Sequence, residues 1–155
     1  MKADSHSILI KNKQFKIYKP SHSWGMKLSQ YHRTNSPVHI ITYSLPNLEY
    51  SKHILSKRPE WIYIICHDKF YDKAFKLKKM FPNIEIRTSD RVHTKLLLVG
   101  KDSVYLGSPN FGDSHNWHEM TFGTNSKEAY VWCRDKIFIP FWNNLEPLCF
   151  QQGLF

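Results

Sequence analysis

Residues 93–110 read HTKLLLVGKDSVYLGSPN. Two apolar runs in it, Lys95 to Val99 and Val104 to Leu106, flank the turn-forming residues Gly100, Lys101, Asp102 and Ser103. Runs of this kind bounded by a turn predict a β-hairpin. Side chains alternate along a strand, so His93 and Lys95 are expected on one face. Pairing then brings the start of the first strand beside the end of the second, where Gly107, Ser108 and Asn110 stand. An imidazole, an ammonium, a hydroxyl and an amide meet at one spot, and the glycine permits close backbone approach. Each signal alone has an ordinary structural reading, a half-buried strand-start histidine or a polar turn. Their convergence is what suits phosphate oxygens.

Working outward, Val38 to Tyr43, bracketed by Pro37 and Pro46, and Trp61 to Cys66, after Pro59, read as buried strands. Between them Asn47 can cap a helix running to about Lys57. From Lys69 to Phe81, Phe70, Ala74, Leu77 and Phe81 recur at helical spacing, Lys69, Lys73, Lys76 and Lys79 fall largely to the other side, and Pro82 ends the helix. Ile84 to Arg87 is a further short strand. At the N-terminus Ser7 to Ile10 and Phe15 to Tyr18 predict a hairpin, followed by a short helix at Trp24 to His32. Beyond the motif, Glu119 to Phe122 predicts a strand and Ser126 to about Asn144 a long helix, which Pro140 should kink or end. Strands alternating with helices, then consecutive strands, predict an α/β sandwich with a mixed central β-sheet flanked by helices. Without a repeat or a boundary signal, residues 1–155 are expected to form a single domain.

The formal charge of +9, from 22 Lys and Arg against 13 Asp and Glu, favours polyanionic partners, nucleic acid or anionic lipid. No stretch approaches the roughly 18 consecutive apolar residues of a membrane span. The polar start, Met1 to Ser7, lacks an export signal, so a cytoplasmic protein without stable membrane association is expected. Cys66, Cys133 and Cys149 match no zinc or redox spacing and are assigned no chemistry. His115 and His118, near Asp113, lie in an expected loop with no helix to align them as metal ligands. They are taken instead as substrate contacts.

The stretch from His93 to Asn110 resembles the HKD motif of the phospholipase D superfamily, HxKxxxxDxxxxxxGSxN. His93, Lys95, Gly107, Ser108 and Asn110 fall at the motif's positions, while Gly100 stands where the family usually has aspartate. That aspartate is understood as structural, and Asp102 is expected to serve the turn in its place. The family also places a glutamate beyond GSxN that orients the histidine, for which Glu119 is the candidate. His67-Asp68-Lys69 is a second HxK tripeptide, but no Gly-Ser-x-Asn follows it, and His67 is read as a helix-start residue.

The resemblance implies a phospholipase D-like, Nuc-like endonuclease with one half-site per chain, working as a homodimer. His93 of one copy would attack phosphorus and that of the other would protonate the leaving oxygen, through a phosphohistidine and with no cofactor. Lys95, Asn110 and Ser108 would stabilise the transition state. Arg91, Arg87, Lys69, Lys73, His115 and His118 are the expected substrate contacts, with DNA favoured over RNA. A phospholipid hydrolase and a nucleic-acid-binding module with a decayed site are the alternatives.

Overall fold

The computed structural model describes residues 5–10, 13–18, 36–56, 58, 60–108, 110–111 and 120–148, the first two stretches by their backbone alone. Eight strands form one sheet: β1 (Ser5–Ile10), β2 (Lys13–Tyr18), β3 (Val38–Ile41), β4 (Ile62–His67), β5 (Ile84–Ser89), β6 (Leu96–Val99), β7 (Ser103–Gly107) and β8 (Thr121–Asn125). Their spatial order is β1-β2-β8-β7-β6-β3-β4-β5. The pairs β3–β4 and β4–β5 are parallel and all the others antiparallel, so the sheet is mixed.

The parallel half needs crossovers, and helices supply them. Helix α1 (Leu48–Leu55) joins β3 to β4, starting where the Asn47 side chain accepts from the Tyr50 N–H at 2.8 Å. After β4, a 3-10 turn (Asp68–Phe70) leads into α2 (Tyr71–Met80). His67 opens that turn, its Nδ1 accepting from the Lys69 N–H at 3.1 Å, as a helix-start residue should. Ala74 and Leu77 of α2 are buried with Ile62, Ile64, Ile84, Ile86, Leu97 and Val99 on one face of the sheet.

The opposite face carries Ile41, Ile65, Leu96, Leu98 and Val104 under the C-terminal helical segment. Leu96 and Leu98 point to one face, Leu97 and Val99 to the other, as strand alternation requires. The long helix expected here is divided. It runs as α3 (Lys127–Cys133), capped by the Ser126 side chain, then a π turn (Arg134–Phe138), then α4 (Ile139–Asn143). Pro140 has no N–H to donate to the Lys136 carbonyl, and the wider π turn immediately before it absorbs the mismatch without ending the helix.

Gly100 turns β6 into β7 with φ +67°, a left-handed conformation that glycine adopts without strain. The Asp102 carbonyl accepts from the Ser126 N–H at 2.7 Å, and the Asp102 carboxylate accepts from the Ser103 hydroxyl at 3.2 Å. The turn is therefore tied to the start of α3, and Asp102 serves it as expected. The expected helix at Trp24 to His32 lies outside the described residues. No helix of the described residues is long and apolar enough to cross a membrane.

Candidate active site

The C-terminal ends of the parallel strands β3, β4 and β5 lie at the same edge of the sheet as the start of β6 and the end of β7. Register fixes who meets there. Leu96 faces Leu106 on one side and Ile41 on the other, so Lys95, the residue before β6, continues the register toward Gly107 and Thr42. His93 and Lys95 precede the strand and do not lie within it, His93 exposed and Lys95 half-buried.

The Gly-Ser-x-Asn segment is held by specific bonds. The Ser108 N–H donates to the Met120 carbonyl and the Met120 N–H to Ser108 Oγ, both at 3.1 Å. Among the described residues no acceptor takes the hydroxyl proton of Ser108. A Cβ on Gly107 would run into the Met120 carbonyl oxygen and come within 2.9 Å of Thr121 Cα, so only glycine lets β7 and β8 approach this closely.

Asn110 has a structural role that its motif position does not suggest. Its Oδ1 accepts from the Tyr43 N–H at 3.0 Å and the Ser44 N–H at 3.3 Å, with Thr42 Oγ1 at 3.4 Å. The Thr42 hydroxyl donates to the Ser44 carbonyl at 2.9 Å and accepts from the Phe111 N–H at 2.8 Å. The amide oxygen thus pins the end of β3 to the end of β7, and the amide NH2 has no partner among the described residues. Thr42, Tyr43 and Ser44 were not singled out from the sequence. The signal available was three polar or amphipathic residues directly after an apolar strand, too common a pattern to mark a site.

Among the expected substrate contacts, Lys69 and Arg91 are exposed at this edge, at the ends of β4 and β5. Lys73 is half-buried, its ammonium 3.4 Å from the Leu45 carbonyl and 5.7 Å from the Phe70 ring centroid. Arg87 is placed elsewhere. It donates to the carbonyls of Trp142 and Leu145 at 2.7 and 2.8 Å and stacks on the Trp142 ring at 4.5 Å, closing the C-terminus of α4. Its expected role as a substrate contact is therefore corrected to a helix-end clamp. A cation at the end of a helix satisfies carbonyls that have no helical partner. Glu119, His115 and His118 lie outside the described residues, which resume at Met120.

His67, rejected as a second motif, also reaches this edge, its ring 4.8 Å from that of Tyr43. Cys66 beside it is sealed in the core. Burial, and secondarily Asp68, pushes its thiol up to about 12, so it stays protonated and inert.

Comparison with solved structures places this architecture. Nuc from Salmonella typhimurium, a phospholipase D family member, is similar with TM-score 0.68 and 16% identity, covering 87% of this chain and 97% of its own. NucT from Helicobacter pylori matches with TM-score 0.65 and 14% identity, covering 87% of this chain and 99% of its own. TrmBL2, an archaeal chromatin protein whose structure shows a novel mode of DNA binding, matches with TM-score 0.64 and 11% identity, over 88% of this chain and 55% of its own. No protein-family model and no curated protein matches the chain. The chain has the phospholipase D-like fold, in its Nuc-like form.

Proposed function

We propose that this protein is a metal-independent phosphodiesterase that cleaves nucleic acid, DNA in preference to RNA, as a homodimer. The observation that supports the proposal is the register of β6 and β7, in which the start of β6, just after His93 and Lys95, pairs with the end of β7, just before Ser108 and Asn110, on a sheet of phospholipase D-like fold. One motif supplies half of the required groups, and a twofold axis supplies the rest. Met120, 62% exposed, and Leu106, 39% exposed, flank the edge and offer apolar surface to a second copy.

In the first step a neutral imidazole nitrogen of His93 forms a bond to phosphorus as the P–O bond to the leaving group breaks. The partner's His93 gives the leaving oxygen its proton. In the second, water attacks the phosphohistidine while the partner's His93, now neutral, takes its proton, releasing a phosphomonoester. The Lys95 ammonium, the Asn110 NH2 and the Ser108 hydroxyl stabilise the negative charge that develops in both steps, and Glu119 orients His93. Arg91, Lys69 and Lys73 receive the flanking phosphates, joined by His115 and His118.

The test is a cleavage panel of single- and double-stranded DNA, RNA and anionic lipid vesicles in excess EDTA, with His93→Ala protein as control. Cleavage of nucleic acid that resists the chelator and vanishes in the variant supports the proposal. Headgroup release from vesicles alone would replace it with a phospholipid hydrolase. The likeness to TrmBL2 and the Gly100 substitution favour a second reading, a nucleic-acid-binding module without turnover, which binding without cleavage would establish. Against it, the +67° turn explains Gly100 by backbone geometry alone.

A further inference from the structure

At the opposite ends of the strands a groove of about 720 Å³ opens between the C-terminal helical segment and the sheet. Its size is that of a small-molecule site, and it shares no residue with the candidate active site. His39 and Tyr63, on the N-terminal parts of β3 and β4, line it from the sheet side, and Tyr130, Phe138 and Trp142 from the helical segment. Tyr63 stacks along His39 with 5.5 Å between centroids and meets Trp142 edge-on at 5.4 Å. The groove is thus walled by a run of aromatic side chains, in which Trp142 carries Phe138 stacked at 5.7 Å and Arg87 on its ring, and part of the wall is the π turn that holds Arg134 and Phe138. Such turns often mark functional places in helices.

The charge of the lining is one-sided. Lys101, Lys127 and Arg134 border the groove, and no carboxylate stands among its described lining residues. Lys101 and Lys127 are exposed, and the bond from the Ser126 N–H to the Asp102 carbonyl holds their two segments together. Arg134 is engaged by Asp135 at 2.7 Å, whereas Lys101 and Lys127 have no ion-pair partner among the described residues. In the wall, His39 is nine-tenths buried and its Nδ1 has no hydrogen-bond partner among the described residues, a group that native proteins normally satisfy by water, ligand or a functional role.

We propose that this groove binds a nucleoside monophosphate unit, free or at the end of a strand, with the base against Tyr63 and the phosphate toward Lys101 and Lys127. Stacking on aromatic rings tolerates any base, and the lysines supply what an apolar ring alone would not need. The site is independent of the catalytic proposal, since it lies at the other end of the strands and needs none of its residues.

Quenching of tryptophan fluorescence by adenosine monophosphate, adenosine, inorganic phosphate and a short single-stranded oligonucleotide, each added to the full chain, tests it. The monophosphate or the oligonucleotide should bind at least tenfold more tightly than adenosine or phosphate, the tighter of the two telling a free nucleotide from a strand end. Lys101→Glu with Lys127→Glu should remove that preference, and Tyr63→Leu should weaken every arm that contains a base. The two lysines are exposed, so their variant tests the site even if Tyr63→Leu fails to fold. No binding at millimolar concentration would overturn the proposal. So would binding that ignores the lysine variant, or binding that is lost instead in Lys95→Gln, which would place the ligand at the candidate active site.

Discussion

At the C-terminal ends of β3 and β4, polar side chains are spent on distant backbone: Asn110 holds Tyr43 and Ser44, and Ser108 holds Met120. The groups left over, His93, Lys69 and Arg91, face solvent. At the N-terminal ends the arrangement is reversed. The Arg58–Glu60 pair, 2.6 Å apart, is almost wholly buried, and its Glu60 Oε2 has no partner among the described residues. His39 is packed between Tyr63 and Phe138, its Nδ1 without a hydrogen-bond partner among the described residues. One end fixes its geometry through satisfied hydrogen bonds and keeps its charge accessible. The other buries a polar pair and sets His39 inside an aromatic cluster, where an unpaired atom is costly. The contrast predicts that changes at the first end affect turnover more than folding, and changes at the second the reverse.

The largest effect should come from His93→Ala, with turnover down by roughly three orders of magnitude or more and an unchanged thermal melt, because the side chain is exposed. If each site needs two copies, mixing wild-type and variant chains should lower activity as the square of the wild-type fraction. A linear fall would show independent sites. Loss of the folded state on this substitution would break the contrast at its first end.

The second end should respond to pH. Burial, and secondarily Arg134, lowers the pKa of His39 from 6.5 to about 4. The unfolded chain therefore binds a proton between those values that the folded chain does not. Stability should rise with pH across that window, by roughly 3 kcal/mol in all, and be lost as pH falls through it. Urea denaturation at pH 4.5 and 7 measures this, and His39→Leu should flatten the slope. A slope that persists in the variant would assign it to other groups.

Variants of Asn110 can separate its pin on β3 from its proposed part in turnover. Asn110→Ala leaves the Tyr43 and Ser44 N–H groups without their acceptor and should cost about 1–3 kcal/mol. Asn110→Asp keeps the acceptor and loses the NH2 donor, so it should fold normally and still lose cleavage. Equal stability of the two variants would mean that the pin on β3 carries no weight. The smallest effect concerns the turn. Gly100→Ala, with open space around it but φ +67°, should cost about 1 kcal/mol. Gly100→Asp should cost less, because a short polar side chain tolerates that backbone better. An equal cost would point away from backbone conformation.

Much of this was legible in the sequence. The hairpin of β6 and β7 follows from two apolar runs around a turn, and α1 from a capping asparagine, because those signals act between residues near in the chain. The same holds for Gly107, Ser108 and the mixed α/β architecture, since binary patterning alone restricts which layers can pack. Arg87 shows the limit: its positive charge was legible, but its carbonyl partners lie 55 and 58 residues away. The residues that Asn110 holds are 66 and 67 residues distant, and they meet it only because β3 lies against β6 in the sheet. The burial of His39 and the lysine-bordered groove likewise depend on where the last helical segment crosses the strands. Hydrophobic periodicity says which face of an element is buried but not which element covers it, so the local pieces of this protein were decided by sequence and the partners of its polar groups by tertiary packing.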